Sequence, residues 1–227
     1  ECNSYYWPKS HLTYNNSGTY EFMVESGNPL VCDSIFTLNL TINRAPEVTS
    51  NITAPSAICA GSALNVAAPQ YVMNHVEGGD AHWEYATSAS GPFTPFDPSA
   101  NTLGYGIYYL RFAVVNDCGQ DVSNVVTFHV NDTPEANMQL AALQVCAGEL
   151  LDLPEVVVNW RNDNVNDRIA QWQLSPTQNG TFVPFDPNEP MLLSYNGYWL
   201  RFMAQNGCGN DIVGPVMITV LSNEEQW

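Results

Sequence analysis

From Tyr108 onward every second residue is suited to burial: Tyr108, Leu110, Phe112, Val114, Asn116 and Cys118 share one parity. The same holds for Tyr198, Leu200, Phe202, Ala204, Asn206 and Cys208. A period of two places each set on one face of a β-strand. Arg111 and Arg201 then fall on the opposite, solvent-facing side. The glycine after each cysteine, Gly119 or Gly209, allows the chain to turn with positive φ. The pattern therefore predicts a core strand and the turn that ends it, written twice as "YYLRFAVVNDCG" (108–119) and "YWLRFMAQNGCG" (198–209).

The duplication is wider than this strand. "ICAGSALNV" (58–66) matches "VCAGELLDL" (145–153), and "GPFTPFDP" (91–98) matches "GTFVPFDP" (180–187). Trp83 matches Trp172, "PEV" and "PEA" open the two units, and "VTFHV" and "VMITV" close them. The units span 45–131 and 132–221, leaving a tail at 222–227. Each has several short strand candidates separated by turn signals, the signature of a β-sandwich. Trp83 and Trp172 suit a core strand packing across it. Residues 1–44 read as a small β module of three strands, "ECNSYYWP", "SGTYEFMV" and "CDSIFTLNLTI". The expected fold class is all-β: tandem immunoglobulin-like sandwiches preceded by a small disulfide-stapled β module. The junctions "NRAPEV" and "NDTPEA" are short and hold proline, which predicts a semi-rigid rod.

Composition agrees with this outline. The hydrophobic fraction of 45% supplies packed cores, and 15 glycines and 15 prolines supply turns. Helix signals are scarce, and no apolar run is long enough to span a bilayer. The net charge of -17 repels nucleic-acid backbones and anionic lipid, so those partners are discounted. No signal peptide opens the chain, and Glu1-Cys2 reads as following a removed leader or as the start of a fragment.

Six cysteines, Cys2, Cys32, Cys59, Cys118, Cys146 and Cys208, include no C-x-x-C pair. Cys59 and Cys118 hold the same places in one unit as Cys146 and Cys208 in the next. The expectation is one bridge per unit, Cys59–Cys118 and Cys146–Cys208, which leaves Cys2 with Cys32. Three bridges imply an oxidising, extracytoplasmic setting.

"SGTYEF" (17–22) followed by "CDSIFTLNLTI" (32–42), with "CNSYYW" (2–7) upstream, resembles a short repeat of secreted and surface proteins of the Bacteroidota. The two later units are similar to the immunoglobulin-like modules that accompany that repeat, with Cys-Ala-Gly early and Asn-x-Cys-Gly late. The resemblance covers nearly the whole chain. It implies a large modular protein exported by the type IX route to the outer surface, and with it an adhesin or a multidomain surface enzyme. "DSI" (33–35) resembles the O-glycosylation motif of this phylum and marks Ser34 as an attachment site. The N-x-S/T sequons at Asn15, Asn39, Asn51, Asn131 and Asn179 are, in a bacterial protein, chance occurrences.

Catalytic signatures are lacking. G-x-S-x-G, H-E-x-x-H and a glycine-rich phosphate loop do not occur. Asp97 and Asp186 sit in matching "PFDP" stretches and read as turn formers. His75, Glu77, Asp80 and His82 form a loop set that could ligate a transition metal or simply face water. Asn162, Asp163, Asn164, Asn166 and Asp167 offer oxygen donors that suit calcium, without the spacing of an EF-hand. No other cofactor is expected. Trp160, Tyr109 and Trp199 are candidate stacking residues for a sugar ring; the alternative is that the aromatic and the arginine of one sheet face pack together.

The sequence thus predicts a non-catalytic stalk or adhesive segment on an outer cell surface. Its partner is a glycan or protein on another surface, or copies of itself. Two rival readings are a carbohydrate-binding accessory region of a secreted enzyme and a filament subunit assembled by strand complementation.

Overall fold

The computed structural model describes residues 1–28, 30, 32–74, 78–100, 102–162, 164–192, 194 and 197–222. The chain forms two compact units, and their boundaries cut across the repeat. The first holds Glu1–Ser56, Ala63–Asn101 and Ile107–Phe128; the second holds Ala57–Ser62, Thr102–Gly106 and His129–Trp227. Residues 1–44, expected as a module of their own, thus cluster with most of the first repeat. The "ICAG" segment of that repeat belongs to the second unit.

The first unit opens with two hairpins. β1 (Tyr5–Trp7) pairs with β2 (Leu12–Tyr14), a short strand that the sequence reading left out. β3 (Gly18–Val24) pairs with β4 (Ser34–Leu40) in continuous register from Gly18 opposite Leu40 to Val24 opposite Ser34. Trp7 is buried and meets Tyr14 and Phe22, while Met23, Val24 and Ile35 stay exposed near the hairpin tip.

The first repeat contributes β5 (Glu47–Val48), β6 (Ile58–Cys59), β7 (Tyr71–Val72), β8 (Asp80–Ala86), β9 (Thr94–Phe96), β10 (Gly106–Asn116), β11 (Gly119–Val122) and β12 (Val126–Asn131). β9, β8, β10 and β12 follow one another in a sheet, β11 folds back on β10, and β5 pairs with β7. Leu110, Phe112 and Val114 are buried, as the alternation predicts. Phe112 lies opposite Trp83 with the rings edge to face, 5.1 Å apart at 76°. The opposite face is not simply solvated, because Ala113 is buried there too.

The second unit repeats the plan with β13 (Glu135–Asn137), β14 (Leu143–Cys146), β15 (Val157–Asn159), a 3-10 turn at Val165–Asp167, β16 (Ile169–Ser175), β17 (Val183–Phe185), β18 (Trp199–Asn206) and β19 (Gly209–Leu221). The sheet order is β14-β19-β18-β16-β17, and β13 pairs with β15. β18 alternates strictly, burying Leu200, Phe202, Ala204 and Asn206. Trp172 faces Phe202 edge to face at 5.2 Å and 71°, matching the Trp83 pair.

The disulfides differ from the expectation. Cys2 is bonded to Cys118 and Cys59 to Cys208, while Cys32 and Cys146 are free thiols. The reason is strand polarity. Cys146 lies beside Leu221, at the far end of β19 from Gly209 and the Cys208 turn. At ~3.3 Å per strand residue the two cysteines are roughly 40 Å apart, and a disulfide tolerates a Cα separation of only about 7 Å. Cys59 lies in the same way beside Asn131, the last residue of β12. Cys2 sits beside Asn43, whereas Cys32 just precedes β4 at the other end of its hairpin. Repeat equivalence identifies which cysteines are alike; the strands keep those of one repeat at opposite ends.

Candidate functional site

The feature built with most care in each unit is the Asn-x-Cys-Gly turn that carries the disulfide. Asn116 and Asn206 end β10 and β18 and are 5% and 4% exposed. A buried carboxamide must satisfy two donors and an acceptor. Asn116 does so by donating from Nδ2 to Arg44 O (2.9 Å) and Met73 O (2.8 Å) while its Oδ1 accepts from Cys118 N–H (2.9 Å). Asn206 repeats the set with Asp132 O, Trp160 O and Cys208 N–H, each at 2.8 Å. One side chain therefore ties the turn to the incoming linker and to a loop of the opposite side of the sandwich.

The glycine that follows is required twice over. Gly119 and Gly209 adopt φ of +150° and +145°. A Cβ on Gly119 would come 3.2 Å from Ala45 Cβ, and one on Gly209 would come 2.7 Å from Thr133 Cγ2. Two residues further on, Asp121 accepts from Val48 N–H, and Asp211 accepts from Ala136 N–H, both at 2.8 Å. Neither aspartate is among the sequence candidates above, although the recurrence of "CGQD" and "CGND" is a signal for both. Cysteine, asparagine, glycine and aspartate thus form one clamp around the start of each repeat.

In the second unit the clamp closes over the "ICAG" segment. Cys59 and Cys208 are bonded with a Cα separation of 5.4 Å. Ala57, Ile58, Asn131, Asn162, Asn164, Asp167 and Gly207 line a recess of about 290 Å³ around the bridge. Of the oxygens proposed for calcium, those of Asn162, Asn164 and Asp167 accept hydrogen bonds from the chain itself. Asn164 Oδ1 accepts from Asn166 N–H at 3.1 Å, and Asp167 accepts from Asn162 Nδ2 and from Gly207 N–H. The Arg168 guanidinium donates to Asn162 Oδ1 at 2.9 Å and to Asn162 O at 2.6 Å. That is a hydrogen-bonded loop with a cation inside it. Asp163 lies outside the described residues.

The other candidates are dispersed. His75 and Glu77 lie outside the described residues. Asp80 and His82 stand in β8 rather than in a loop, with His82 Nδ1 2.7 Å from Asp80 Oδ2. Among the described residues no group of three His, Cys, Asp or Glu is placed to hold a metal ion. Tyr109 lies opposite Ala86 of β8, and Trp199 opposite Ser175 and Met217. Trp160 borders an open apolar recess of about 830 Å³ with Trp172, Phe185 and Phe202, and the Arg168 guanidinium lies 5.7 Å from its ring centroid.

Each sheet arginine does pack on an aromatic ring, but not on Tyr109 or Trp199. Arg111 stacks over Phe93 at 4.1 Å and Arg201 over Phe182 at 4.0 Å, which explains the recurring phenylalanine of "GPF" and "GTF". Asp97 and Asp186 are turn formers, as expected. Each accepts from the backbone N–H two residues ahead, of Ser99 and Asn188 respectively, at 2.9 Å. The Ser99 hydroxyl and then its N–H hold the Asp97 carboxyl below its ordinary pKa. Ser34 is exposed at the start of β4.

No protein-family profile matches the chain, and no curated protein matches it either. Among solved structures, an I-band fragment of titin aligns with a TM-score of 0.50 and 12% identity, over 90% of this chain and 75% of its own. The N-terminal eight Ig domains of Down Syndrome Cell Adhesion Molecule align with a TM-score of 0.45 and 13% identity, over 96% of this chain and 31% of theirs. At such identities the titin likeness speaks to fold alone. Together with the sheets described above, it makes this chain an all-β protein of tandem immunoglobulin-like sandwiches.

Proposed function

We propose that the chain is a non-catalytic structural and adhesive segment of an extracellular bacterial surface protein. The observation that carries this reading is the overlap of the two disulfide loops. Cys59 lies inside the span closed by Cys2–Cys118, and Cys118 lies inside the span closed by Cys59–Cys208. A tension applied at the two ends therefore meets covalent bridges before it reaches most of the backbone. Bridges of this kind persist in oxidising compartments, which supports a place outside the cytoplasm. The partner in this reading is a glycan or a protein on another surface, or a second copy of the chain. Bacterial origin and export by the type IX route rest on the "CDSI" resemblance.

Single-molecule pulling tests the load-bearing role. The shortest covalent path between the ends of the oxidised chain is roughly 80 residues, so its extension is expected to stop at about a third of the contour reached after reduction. The oxidised chain is also expected to yield at higher force than the reduced one. Equal unfolding forces before and after reduction would remove the mechanical reading.

A further inference from the structure

Three cysteines of this chain occupy the same backbone seat, and two of them are bonded. Cys2 forms a parallel bridge with Asn43, and Asn3 N–H donates to Asn43 O at 2.8 Å. Cys59 lies parallel and opposite Asn131, and Ala60 N–H donates to Asn131 O at 2.6 Å. Cys146 lies parallel and opposite Leu221, and Ala147 N–H donates to Leu221 O at 2.9 Å. The likeness of the last two continues. Gly61 N–H donates to Leu103 O at 3.1 Å, and Gly148 N–H donates to Met191 O at 2.7 Å. Ser62 N–H turns back to Cys59 O, as Glu149 N–H does to Cys146 O.

The first two seats each hold the cysteine of the Asn-x-Cys-Gly turn from the repeat that follows: Cys118 on Cys2 and Cys208 on Cys59, both with Cα atoms 5.4 Å apart. In the third seat Cys146 is a half-buried free thiol. Neither Asn-x-Cys-Gly cysteine of the chain is left for it, and Cys32 lies in a different context, "VCDS". Beside the third seat, Leu150, Leu192 and Leu221 are 54%, 56% and 44% exposed. Leu221 is itself part of the seat, Leu150 and Leu192 adjoin its residues Glu149 and Met191, and these exposed leucines offer apolar surface that a docked repeat would cover.

We propose that Cys146 is the receiving half of a third inter-repeat staple. Its partner is the Asn-x-Cys-Gly cysteine of a further repeat of this kind, entered directly after Leu221 as the second repeat is entered after Asn131. Two thiols close into one disulfide. A disulfide oxidant, oxidised glutathione or an oxidised thiol–disulfide oxidoreductase, takes up the two electrons; its own S–S bond breaks and its sulfurs accept the two protons. The assignment follows from the identity of the three seats and does not depend on the mechanical or adhesive role.

The test extends the chain by one repeat. A second copy of residues 132–222 is fused after Ser222, with Cys32→Ser to remove the other free thiol, and the product is refolded in glutathione redox buffer. Peptide mapping without reduction is expected to find Cys146 linked to the added copy of Cys208, and the added copy of Cys146 free. Recovery of Cys146 as an alkylated free thiol in the folded fusion would overturn the proposal. Should the fusion fail to fold, the natural protein is alkylated before extraction and mapped. Cys146 is then expected on an Asn-x-Cys-Gly peptide that differs from those of Cys118 and Cys208; an alkylated Cys146, or any other partner, contradicts the assignment.

Discussion

Asn206 donates two hydrogen bonds and accepts one while almost completely buried. Asn206→Asp keeps the size but turns a double donor into an acceptor that faces two carbonyl oxygens. The variant is expected to lose about 2–4 kcal/mol, read as a lower midpoint in chemical denaturation with unchanged slope. A neutral result would show that the turn is held by the disulfide alone. Gly209→Ala adds a Cβ against Thr133 at a φ that L residues rarely adopt, and about 1–3 kcal/mol of destabilisation is expected. Asp97 behaves differently. Its pKa is depressed by Ser99, so its contribution is present above the unfolded-state value and is lost as pH falls through the lower folded value. Carboxyl NMR should find Asp97 titrating below an ordinary aspartate and returning toward normal in Ser99→Ala; no difference between the two proteins would contradict the hydrogen-bond origin. The parity of Asn116 and Asn206 already assigned them to the inward face. That they clamp the linker was not readable, because their acceptors, Met73 and Trp160, lie more than forty residues away in the chain.

At the scale of elements, the alternation located β10 and β18 and the Trp83 and Trp172 strands directly, since a half-buried strand must repeat every second residue. β2 escaped because three residues after a turn carry too little pattern. The "HVEGGDAH" stretch was expected as a loop, yet Asp80 and His82 enter β8, where His82 and Arg111 both approach Glu84. The outward faces of β10 and β18 carry a stacked arginine in each repeat. In the second unit, Phe182→Ala should destabilise by about 1–2 kcal/mol. A double-mutant cycle with Arg201→Met should recover a coupling of about 0.5–1 kcal/mol. Additive effects would mean that the ring and the guanidinium merely lie side by side. A neighbour also shapes the loop proposed for calcium. Counting oxygens in 162–167 ignores Arg168, which follows immediately and takes Asn162 for itself.

For the whole molecule, the repeat proved a guide to likeness and a poor guide to proximity. It grouped Cys59 with Cys146 and Cys118 with Cys208 correctly, but pairing within a repeat would require bridging the length of a sandwich. The Cys-Ala-Gly segment of the first repeat belongs to the second compact unit, and residues 1–44 to the first; each observed bridge lies within one unit. Cys2–Cys118 and Cys59–Cys208 close spans of 116 and 149 residues, and in the chain-entropy view loops of that size stabilise by roughly 4–5 kcal/mol each. Cys59→Ser with Cys208→Ser should therefore lower stability by several kcal/mol, whereas Cys146→Ser should leave this chain nearly unchanged. The most direct test is a peptide map of the oxidised chain, digested without reduction after alkylation at low pH. Linked peptides containing Cys2 with Cys118 and Cys59 with Cys208 are expected, with Cys32 and Cys146 alkylated. Linked peptides joining Cys59 to Cys118 and Cys146 to Cys208 would contradict these pairings and the clamp described at the start of each repeat.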